Sequence, residues 1–241
     1  MDARADAPAP ASDGARPRAV VSWSSGKDAA FALQQVREAG ELEVVGLLTT
    51  VTRTFGRVSM HGVREELLHR QADAVGLPLT TVEIPSPCPN ATYDRLMEEA
   101  LARLRASGVE VVVFGDLFLE DIRQYRESRL RGTGLRPVFP LWGRPTASLA
   151  RAMLAAGLEA TLVCVDPRQI PAPFAGRRFD EALLRELPAD ADPCGERGEF
   201  HTFVSDGPMF ARPVPVRPGE VVERDGFVFA DLLPADDPPE G

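Results

Sequence analysis

Short apolar, β-branched runs alternate with amphipathic helical segments through most of this sequence, and that alternation restricts the fold more than any other feature. A strand is predicted at 19–23, and a helix at 28–39 stops at Gly40. Further strands are predicted at 43–51, 79–84, 111–114 and 160–165, and further helices at 63–75, 93–106 and 147–156. A chain that alternates in this way folds as an α/β protein, with helices on both faces of a parallel sheet.

The pattern changes in the last third of the chain. Segments 221–224 and 227–232 flank Asp225-Gly226, a pair typical of a two-residue hairpin turn, and 200–204 is predicted as a strand facing that hairpin. We therefore expect a Rossmann-like parallel-sheet domain followed by a smaller C-terminal α+β portion. The expected divisions are a disordered leader at 1–17, the parallel-sheet domain at 18–166, the smaller portion at 167–233 and a disordered tail at 234–241.

Composition and charge argue against several kinds of protein. The 241 residues carry a net charge of −9 spread along the chain, which disfavours a non-specific grip on nucleic acid or on an anionic membrane. Three widely spaced cysteines without a C-x-x-C pair argue against a disulfide framework and a zinc ribbon. The sequence has no apolar run near the roughly 20 residues that span a bilayer, and no signal-peptide pattern at its N-terminus. We expect a cytoplasmic protein that acts on small polar substrates or on a protein partner.

Ser24-Ser25-Gly26-Lys27-Asp28 lies between the first strand and the first helix, where backbone N–H groups and the positive helix terminus face one point. A phosphate suits that point, because Gly26 allows close approach, the serines can donate hydrogen bonds and Lys27 adds a cation. Asp28 could order the loop or help to hold a magnesium ion. The loop is not a Walker A sequence, since Asp28 follows Gly26-Lys27 where Ser or Thr would stand. The alternative is a polar turn in which Ser or Asp caps the helix.

Two further groups follow predicted strands, at the edge where parallel sheets bind ligands. His61 comes after the second strand and is expected near that edge, or else caps a helix. Gly115 and Asp116 follow the strand at 111–114; the glycine permits close approach, and the carboxylate could bind a ribose hydroxyl or magnesium unless the pair is only a turn. The next helix carries a set interpreted as a solvated, salt-bridged face: Arg123, Arg126, Glu127 and Arg129.

The segment 194–203 concentrates two carboxylates, an imidazole and a thiol within ten residues. Glu196, Glu199 and His201 could polarise an acyl group, bind magnesium or accept a proton from an amine. If 200–204 is a strand, Glu199 and His201 lie on the same face. A transition-metal site is disfavoured because no second His or Cys stands at ligand spacing. The alternative is a polar turn that leads into an edge strand.

Taken in order, these clusters resemble the diphthine–ammonia ligase family of PP-loop ATP pyrophosphatases, in the adenine nucleotide alpha hydrolase superfamily. The resemblance covers residues 19 to about 212 and rests on S-x-G-K-D, H-G-V-R, G-L-P-L, G-D, P-L-W, G-E-x-G-E-F-H-T-F-V and D-G-P-x-F. The first loop is similar to the S-G-G-x-D-S loop of PP-loop enzymes. Ser25 stands where that loop usually has Gly, and Ala29 stands where its final Ser would be, so the phosphate cradle has one hydroxyl fewer.

The resemblance implies a HUP-type nucleotide-binding domain and a reaction in which ATP adenylates a carboxylate, pyrophosphate leaves and ammonia attacks the acyl-adenylate to give an amide. ATP and Mg²⁺ are the implied cofactors, with Asp28 and Asp116 as tentative magnesium ligands. The implied nucleotide-binding residues are Ser24, Ser25, Gly26, Lys27, Asp28, His61, Gly115 and Asp116. The implied catalytic residues are Lys27, Asp116, Glu196, Glu199 and His201, and the implied acceptor-side residues are Glu196, Glu199, His201 and Thr202.

In the resembling family the acceptor is diphthine, a modified histidine of translation elongation factor 2. The acceptor of this chain, its nitrogen source and its oligomeric state stay open, although the fold is compatible with a homodimer. One rival is a sulfur-transfer or tRNA-modifying PP-loop enzyme, which the acidic charge and the lack of paired cysteines disfavour. Another is a nucleotide-binding regulator of the universal-stress type, which Ala29 favours but which leaves the 196–202 cluster unexplained.

Overall fold

The computed structural model describes residues 15–54, 56–58 and 61–236. Most of the predicted leader and the last five residues of the predicted tail lie outside the described residues. None of the helices in these ranges is long and apolar enough to cross a membrane.

The first two-thirds of the chain form the predicted parallel sheet. Its strands are β1 (Arg18–Ser22), β2 (Glu43–Thr52), β3 (Arg57–Val58), β4 (Leu79–Ile84), β5 (Val111–Val113) and β6 (Arg136–Val138). The accompanying helices are α1 (Lys27–Ala39), α2 (Glu65–Val75), α3 (Asn90–Ala106) and α4 (Glu120–Leu130). The parallel strands follow the order β4–β2–β1–β5–β6, and β3 pairs antiparallel with the end of β2. The sequence patterns missed β6, which has only three residues and contains Pro137.

The last third forms a second, antiparallel sheet. After α5 (Thr146–Ala155) come β7 (Glu159–Val165), the short helix α6 (Glu181–Glu186), β8 (Phe200–Asp206), β9 (Val216–Arg224) and β10 (Phe227–Pro234). The strand order is β8–β7–β10–β9. The predicted hairpin is confirmed, with Asp225 and Gly226 both at positive φ in its turn. The predicted strand at 200–204 is also present, but β7 and β10 separate it from β9, so it pairs with β7 and not with the hairpin.

This pairing bears on the division of the chain. The sequence pattern places the strand predicted at 160–165 in the parallel-sheet domain, whereas β7 pairs with β8 and β10 in the second sheet. A boundary at 166 therefore separates β7 from the strands that it pairs with. We propose that the two structural units divide before α5.

Both faces of the first sheet are buried, as a parallel sheet requires. Along β1, Ala19 and Val21 belong to the larger hydrophobic cluster and Val20 to the smaller one, because successive side chains point to opposite faces. The larger cluster continues into the second sheet through Phe200 and Phe203. The two sheets thus share one core, and this shared packing places β8 beside the carboxyl end of β1.

Candidate active site

The segment between β1 and α1 forms a tight loop that distant groups hold in place. Ser25 is fully buried with a φ of 70°, in the left-handed region that favours glycine. Its carbonyl oxygen accepts hydrogen bonds from the side-chain amide of Gln71 (3.1 Å) and from the N–H of Val204 (3.0 Å). The N–H of Lys27 donates to the hydroxyl of Thr202 (3.1 Å). The hydroxyl of Thr202, expected on the acceptor side, is thus used to position the loop.

Gln71 is a buried residue that sequence reasoning did not assign to the site. Its side-chain oxygen accepts a hydrogen bond from the indole N–H of Trp23 (2.9 Å), and its amide nitrogen donates to the carbonyls of Ser25 and Val204 (3.1 and 2.7 Å). The side chain thereby links β1, the loop and β8. The sequence signal was a glutamine on the apolar face of α2, next to Ala72, where a buried polar group needs partners.

The side chain of Lys27 points into the protein. Its ammonium group, 2% exposed, donates to both carboxylate oxygens of Asp28 (3.0 and 2.8 Å) and to the carbonyl of Cys194. It also lies over the rings of Phe179 and Phe200, 5.6 and 5.3 Å from their centroids. Burial opposes the charge, but Asp28, together with the smaller effects of Cys194 and Glu196, outweighs burial and raises the pKa of Lys27, so the ammonium stays protonated. Lys27 therefore connects the loop to the segment before β8.

Two adjoining cavities lie at the carboxyl ends of the parallel strands. The polar cavity, about 240 Å³, is bounded by the 24–29 loop, Gly115, Asp116 and the 195–202 segment, and it includes Lys27 and Asp28 in its lining. The apolar cavity, about 630 Å³, is bounded by the ends of β2 and β4 and by α3 and α4. Six residues line both cavities: Ser22, Ser24, His61, Phe114, Arg126 and His201. We call these six residues the junction. Because they line both cavities, the two cavities form one continuous cleft.

Glu196 is the carboxylate of the 194–203 segment that reaches the polar cavity. One of its oxygens accepts hydrogen bonds from the backbone N–H groups of Leu117 (2.7 Å) and Phe118 (3.4 Å). Burial outweighs these hydrogen bonds and raises the pKa of Glu196 to about 7, with the nearby charges of Asp28 and Asp116 adding to the rise. A carboxyl group with this pKa can both hold and release a proton near neutral pH.

Glu199 does not join Glu196 and His201 in the cleft. Its two oxygens accept hydrogen bonds from the backbone N–H groups of Asp192 (2.7 Å) and Arg197 (2.9 Å), and the residue is buried. The predicted shared face of Glu199 and His201 is therefore wrong. Glu199 precedes β8, in a loop that turns at left-handed glycines, so strand alternation does not extend to it.

His61 and His201 pack against each other at the junction. Their ring centroids are 4.3 Å apart with 30° between the planes, and Nδ1 of His61 is buried without a hydrogen-bond partner. Burial lowers the pKa of His201 to about 4, and burial with the neighbouring His201 lowers the pKa of His61 well below its usual value. Both rings are neutral at pH 7. His61 is not a helix cap, because Arg64 occupies that position of α2.

Gly115 and Asp116 lie on the polar side of the cleft. A side chain at Gly115 would come within 2.8 to 3.0 Å of the backbone of Asp28 and Ala29, so this glycine lets β5 approach the start of α1. Asp116 lines the polar cavity and not the apolar one. Its carboxylate lies 3.5 Å from the guanidinium of Arg126.

The structure also corrects the interpretation of Arg126 on α4, and it shows residues lining the apolar cavity that the sequence patterns missed. Arg126 lines the cleft, with its guanidinium 4.9 Å from the centroid of Phe114, whereas Arg123, Glu127 and Arg129 make ion pairs as predicted. Tyr93 and Met97 of α3 and Thr49 of β2 line the apolar cavity. The sequence predicts the strand that carries Thr49 and the helix that carries Tyr93 and Met97. Side chains at such positions are also typical of an ordinary core, so the patterns alone did not identify them as part of the cleft.

The cleft does not contain a ready-made metal cage. Within the described ranges, no three His, Cys, Asp or Glu side chains gather at a spacing suited to a metal ion. Both oxygens of Asp28 accept from Lys27, whereas one oxygen of Asp116 is buried without a hydrogen-bond partner. Magnesium that binds mainly through phosphate oxygens and water, with one or two carboxylates, fits these residues.

Comparison with known proteins supports the assignment made on the motifs. Residues 17–137 match the family model of the diphthamide synthase N-terminal domain, and residues 145–229 match that of its C-terminal domain. The chain is 26% identical over 238 residues to a diphthine–ammonia ligase of Homo sapiens, with 89% of this chain and 88% of the relative covered. It is 28% identical over 246 residues to a diphthine–ammonia ligase of Danio rerio, with 89% and 92% covered. The chain belongs to the diphthamide synthase family, whose N- and C-terminal domains it matches in order.

Proposed function

We propose that this protein is an ATP-dependent ligase that converts a carboxylate into an amide and releases AMP and pyrophosphate. A carboxylate oxygen attacks the α-phosphorus of ATP, and the bond to the β-phosphate oxygen breaks. Ammonia then attacks the acyl carbon, AMP leaves, and one proton is released. The observation that carries the proposal is the continuous cleft, in which an apolar cavity adjoins a polar one at a phosphate-binding loop.

ATP fits the cleft in one direction. The apolar cavity has room and aromatic side chains for the base, and the 24–28 loop brings the positive terminus of α1 to the pyrophosphate. Lys27 would contribute a fixed positive charge behind the loop as charge develops on the leaving group. The α-phosphate would then lie at the junction, beside His61 and His201.

Glu196 is the best-placed base for the second step. Its pKa of about 7 suits a group that takes a proton from the attacking ammonia near neutral pH. His201, with a pKa of about 4, is a weaker base at that pH. We assign to the two neutral imidazoles the roles of hydrogen-bonding to the substrate and of excluding water.

We further propose that Mg²⁺ enters with the triphosphate, near the unpartnered oxygen of Asp116. When bound, the ion would neutralise charge on the phosphate oxygens.

The name of the relatives makes diphthine the first acceptor to test, and ammonia the nitrogen donor. We also propose that the protein is a homodimer, which size-exclusion chromatography tests. Its proposed cytoplasmic location is tested by cell fractionation.

The sulfur-transfer alternative fits the cysteines poorly. Burial raises the pKa of Cys164 and of Cys194 to about 12, so neither thiol ionises readily enough to carry sulfur. Cys88 lies in the lining of the apolar cavity and not beside the loop. The regulator alternative predicts ATP binding without turnover.

The test is to incubate the protein with ATP labelled at the α-phosphate, magnesium, ammonium and a diphthine-bearing acceptor, beside a Glu196→Gln variant. We expect AMP and pyrophosphate in amounts equal to the amide formed. Glu196→Gln should still form the adenylate while making amide slowly. Production of ADP, or tight ATP binding without turnover when the acceptor is present, would contradict the proposal.

A further inference from the structure

Arg126 and Asp116 form an incomplete ion pair at the meeting point of the two cavities. The Nε atom of Arg126 and one carboxylate oxygen of Asp116 are 3.5 Å apart. Each of these two atoms is buried and makes no hydrogen bond. The guanidinium lies over the ring of Phe114, 4.9 Å from its centroid, and Arg126 lines both cavities.

This arrangement is unfavourable unless a ligand supplies the missing hydrogen bonds. The Nε atom of Arg126 and the oxygen of Asp116 have lost their contact with water and gained no hydrogen bond, while the rest of the Arg126 side chain, 31% exposed, stays open to the cleft. An arginine retained in this state next to a cleft is therefore suited to an anionic ligand that occupies its free donors.

The neighbouring arginines of α4 differ in this respect. Arg123 donates to Glu127 (2.8 Å) and stacks on Phe139 and Trp142, at 5.1 and 4.7 Å from their centroids. Arg129 pairs with Glu98 and Asp94, at 2.6 and 3.3 Å. Both therefore have close carboxylate partners within the protein, whereas the approach between Arg126 and Asp116 is longer and makes no hydrogen bond.

We propose that Arg126 binds the α-phosphate of the nucleotide and keeps hold of it through the adenylate intermediate and AMP. The identification of the ligand rests on the proposed function, which places the α-phosphate at the junction. Asp116 holds the guanidinium in place before the nucleotide arrives. Because a guanidinium can donate two parallel hydrogen bonds to a phosphate, Arg126 would also orient the phosphorus toward the attacking carboxylate.

The position of Arg126 separates its contribution from that of the loop. Three residues of the loop, Gly26, Lys27 and Asp28, line only the polar cavity and so face the β- and γ-phosphates in this arrangement, whereas Ser24 lies at the junction. Arg126 reaches both sides. It should therefore matter for AMP, which lacks the pyrophosphate, and not for adenosine, which lacks every phosphate.

The experiment measures the affinities of AMP and adenosine by calorimetry for the full chain and for Arg126→Gln, Arg126→Lys and Arg123→Gln. Arg126→Gln should weaken AMP binding tenfold or more, by about 1.4 kcal/mol at least, with the adenosine affinity unchanged within about twofold. Arg126→Lys should weaken AMP binding less, since it keeps the charge but not the two-point contact. Arg123→Gln, one turn earlier on α4, should change neither affinity.

Equal weakening of AMP and adenosine binding by Arg126→Gln would show a purely structural role and overturn the proposal, as would an unchanged preference for AMP. If Arg126→Gln does not fold, the same comparison is decided on Arg126→Lys. A loss of AMP preference in a protein that makes no AMP from ATP would leave the assignment of Arg126 standing while the proposed ligase activity fails.

Discussion

Two loops bound the polar cavity, and they obtain their shapes in opposite ways. The loop at 24–28 is held from outside, by the side chain of Gln71 on α2 and by Thr202 and Val204 of β8. The loop at 192–199 also has contacts outside itself, but carboxylates of Asp192 and Glu199 accept several of its own backbone N–H groups. The first loop therefore depends mainly on how the two sheets pack, whereas much of the shape of the second comes from its local sequence.

Among the contacts around the polar cavity, the contact between these two loops should contribute the most to stability. Lys27→Met removes the ammonium that joins Asp28 to the carbonyl of Cys194 and leaves a largely buried carboxylate without its partner. We expect a loss of about 3 to 5 kcal/mol in the free energy of unfolding, measured with urea. Adding Asp28→Asn to Lys27→Met should recover part of the loss. A change below 1 kcal/mol in the single variant would mean that the two loops are independent.

Glu196 is the carboxylate of the 192–199 loop that faces the cleft, so its replacement should affect catalysis most. Glu196→Gln should lower the rate of amide formation about 100-fold. At a constant concentration of free NH3, the wild-type rate should rise with pH to a plateau above about 7, as the base ionises, and the variant should lose this inflection. A retained inflection near pH 7 in the variant would assign the base to another group.

Glu196→Gln should slow catalysis, but it should stabilise the folded protein above neutral pH. Because the folded-state pKa of Glu196 is raised, the carboxyl stabilises the fold while protonated, and that contribution is lost as the pH rises through about 7. Thermal unfolding at pH 8 should show Glu196→Gln to be more stable than the wild type, with the difference shrinking as the pH falls and disappearing below about pH 4.5, the ordinary pKa of the Glu carboxyl.

Glu199 provides the matched comparison within the same loop. Glu199→Gln places an amide N–H against a backbone N–H donor and should cost about 2 kcal/mol of stability. Its folded fraction should keep the wild-type pH dependence of the rate, since Glu199 lies outside the cleft. A lost inflection in Glu199→Gln would contradict the separation of the two carboxylates.

Gln71 tests the external support of the first loop. Gln71→Leu leaves the indole N–H of Trp23 and the carbonyl of Val204 without this partner, which should cost about 2 kcal/mol and weaken ATP binding. Gln124→Leu, on the exposed face of α4, is the control and should change stability by less than about 0.5 kcal/mol. ATP affinity that survives Gln71→Leu unchanged would show that the loop keeps its shape alone.

The smallest expected effect has the opposite sign. Ser25→Gly relieves the left-handed backbone and removes a buried hydroxyl that has no hydrogen-bond partner. After the entropy cost of glycine, the variant should be more stable by about 1 kcal/mol, measured by thermal unfolding. Destabilisation instead would show that the serine hydroxyl has a partner, such as an ordered water.

Local patterns were enough to predict much of this protein. The apolar alternation predicted the parallel sheet, Asp225-Gly226 predicted the hairpin, and the strand–loop–helix junction predicted the position of the 24–28 loop, because each of these depends on residues close together in the chain. The ordered motifs also indicated the family, which the comparisons support. The resemblance, and not the periodicity, carried the inference of adenylation and amide formation.

Tertiary structure decided the rest. Strand pairing is non-local, so the sequence of β7 does not reveal that it belongs to the second sheet. Glu196 and Glu199 have the same side chain three residues apart, but the loop turns one toward the cleft and the other toward its own backbone. Arg126 resembles the other arginines of its helix until the fold places it over Phe114, beside Asp116. Hydrogen bonds and burial depend on neighbours that packing brings together, and packing is a property of the whole chain.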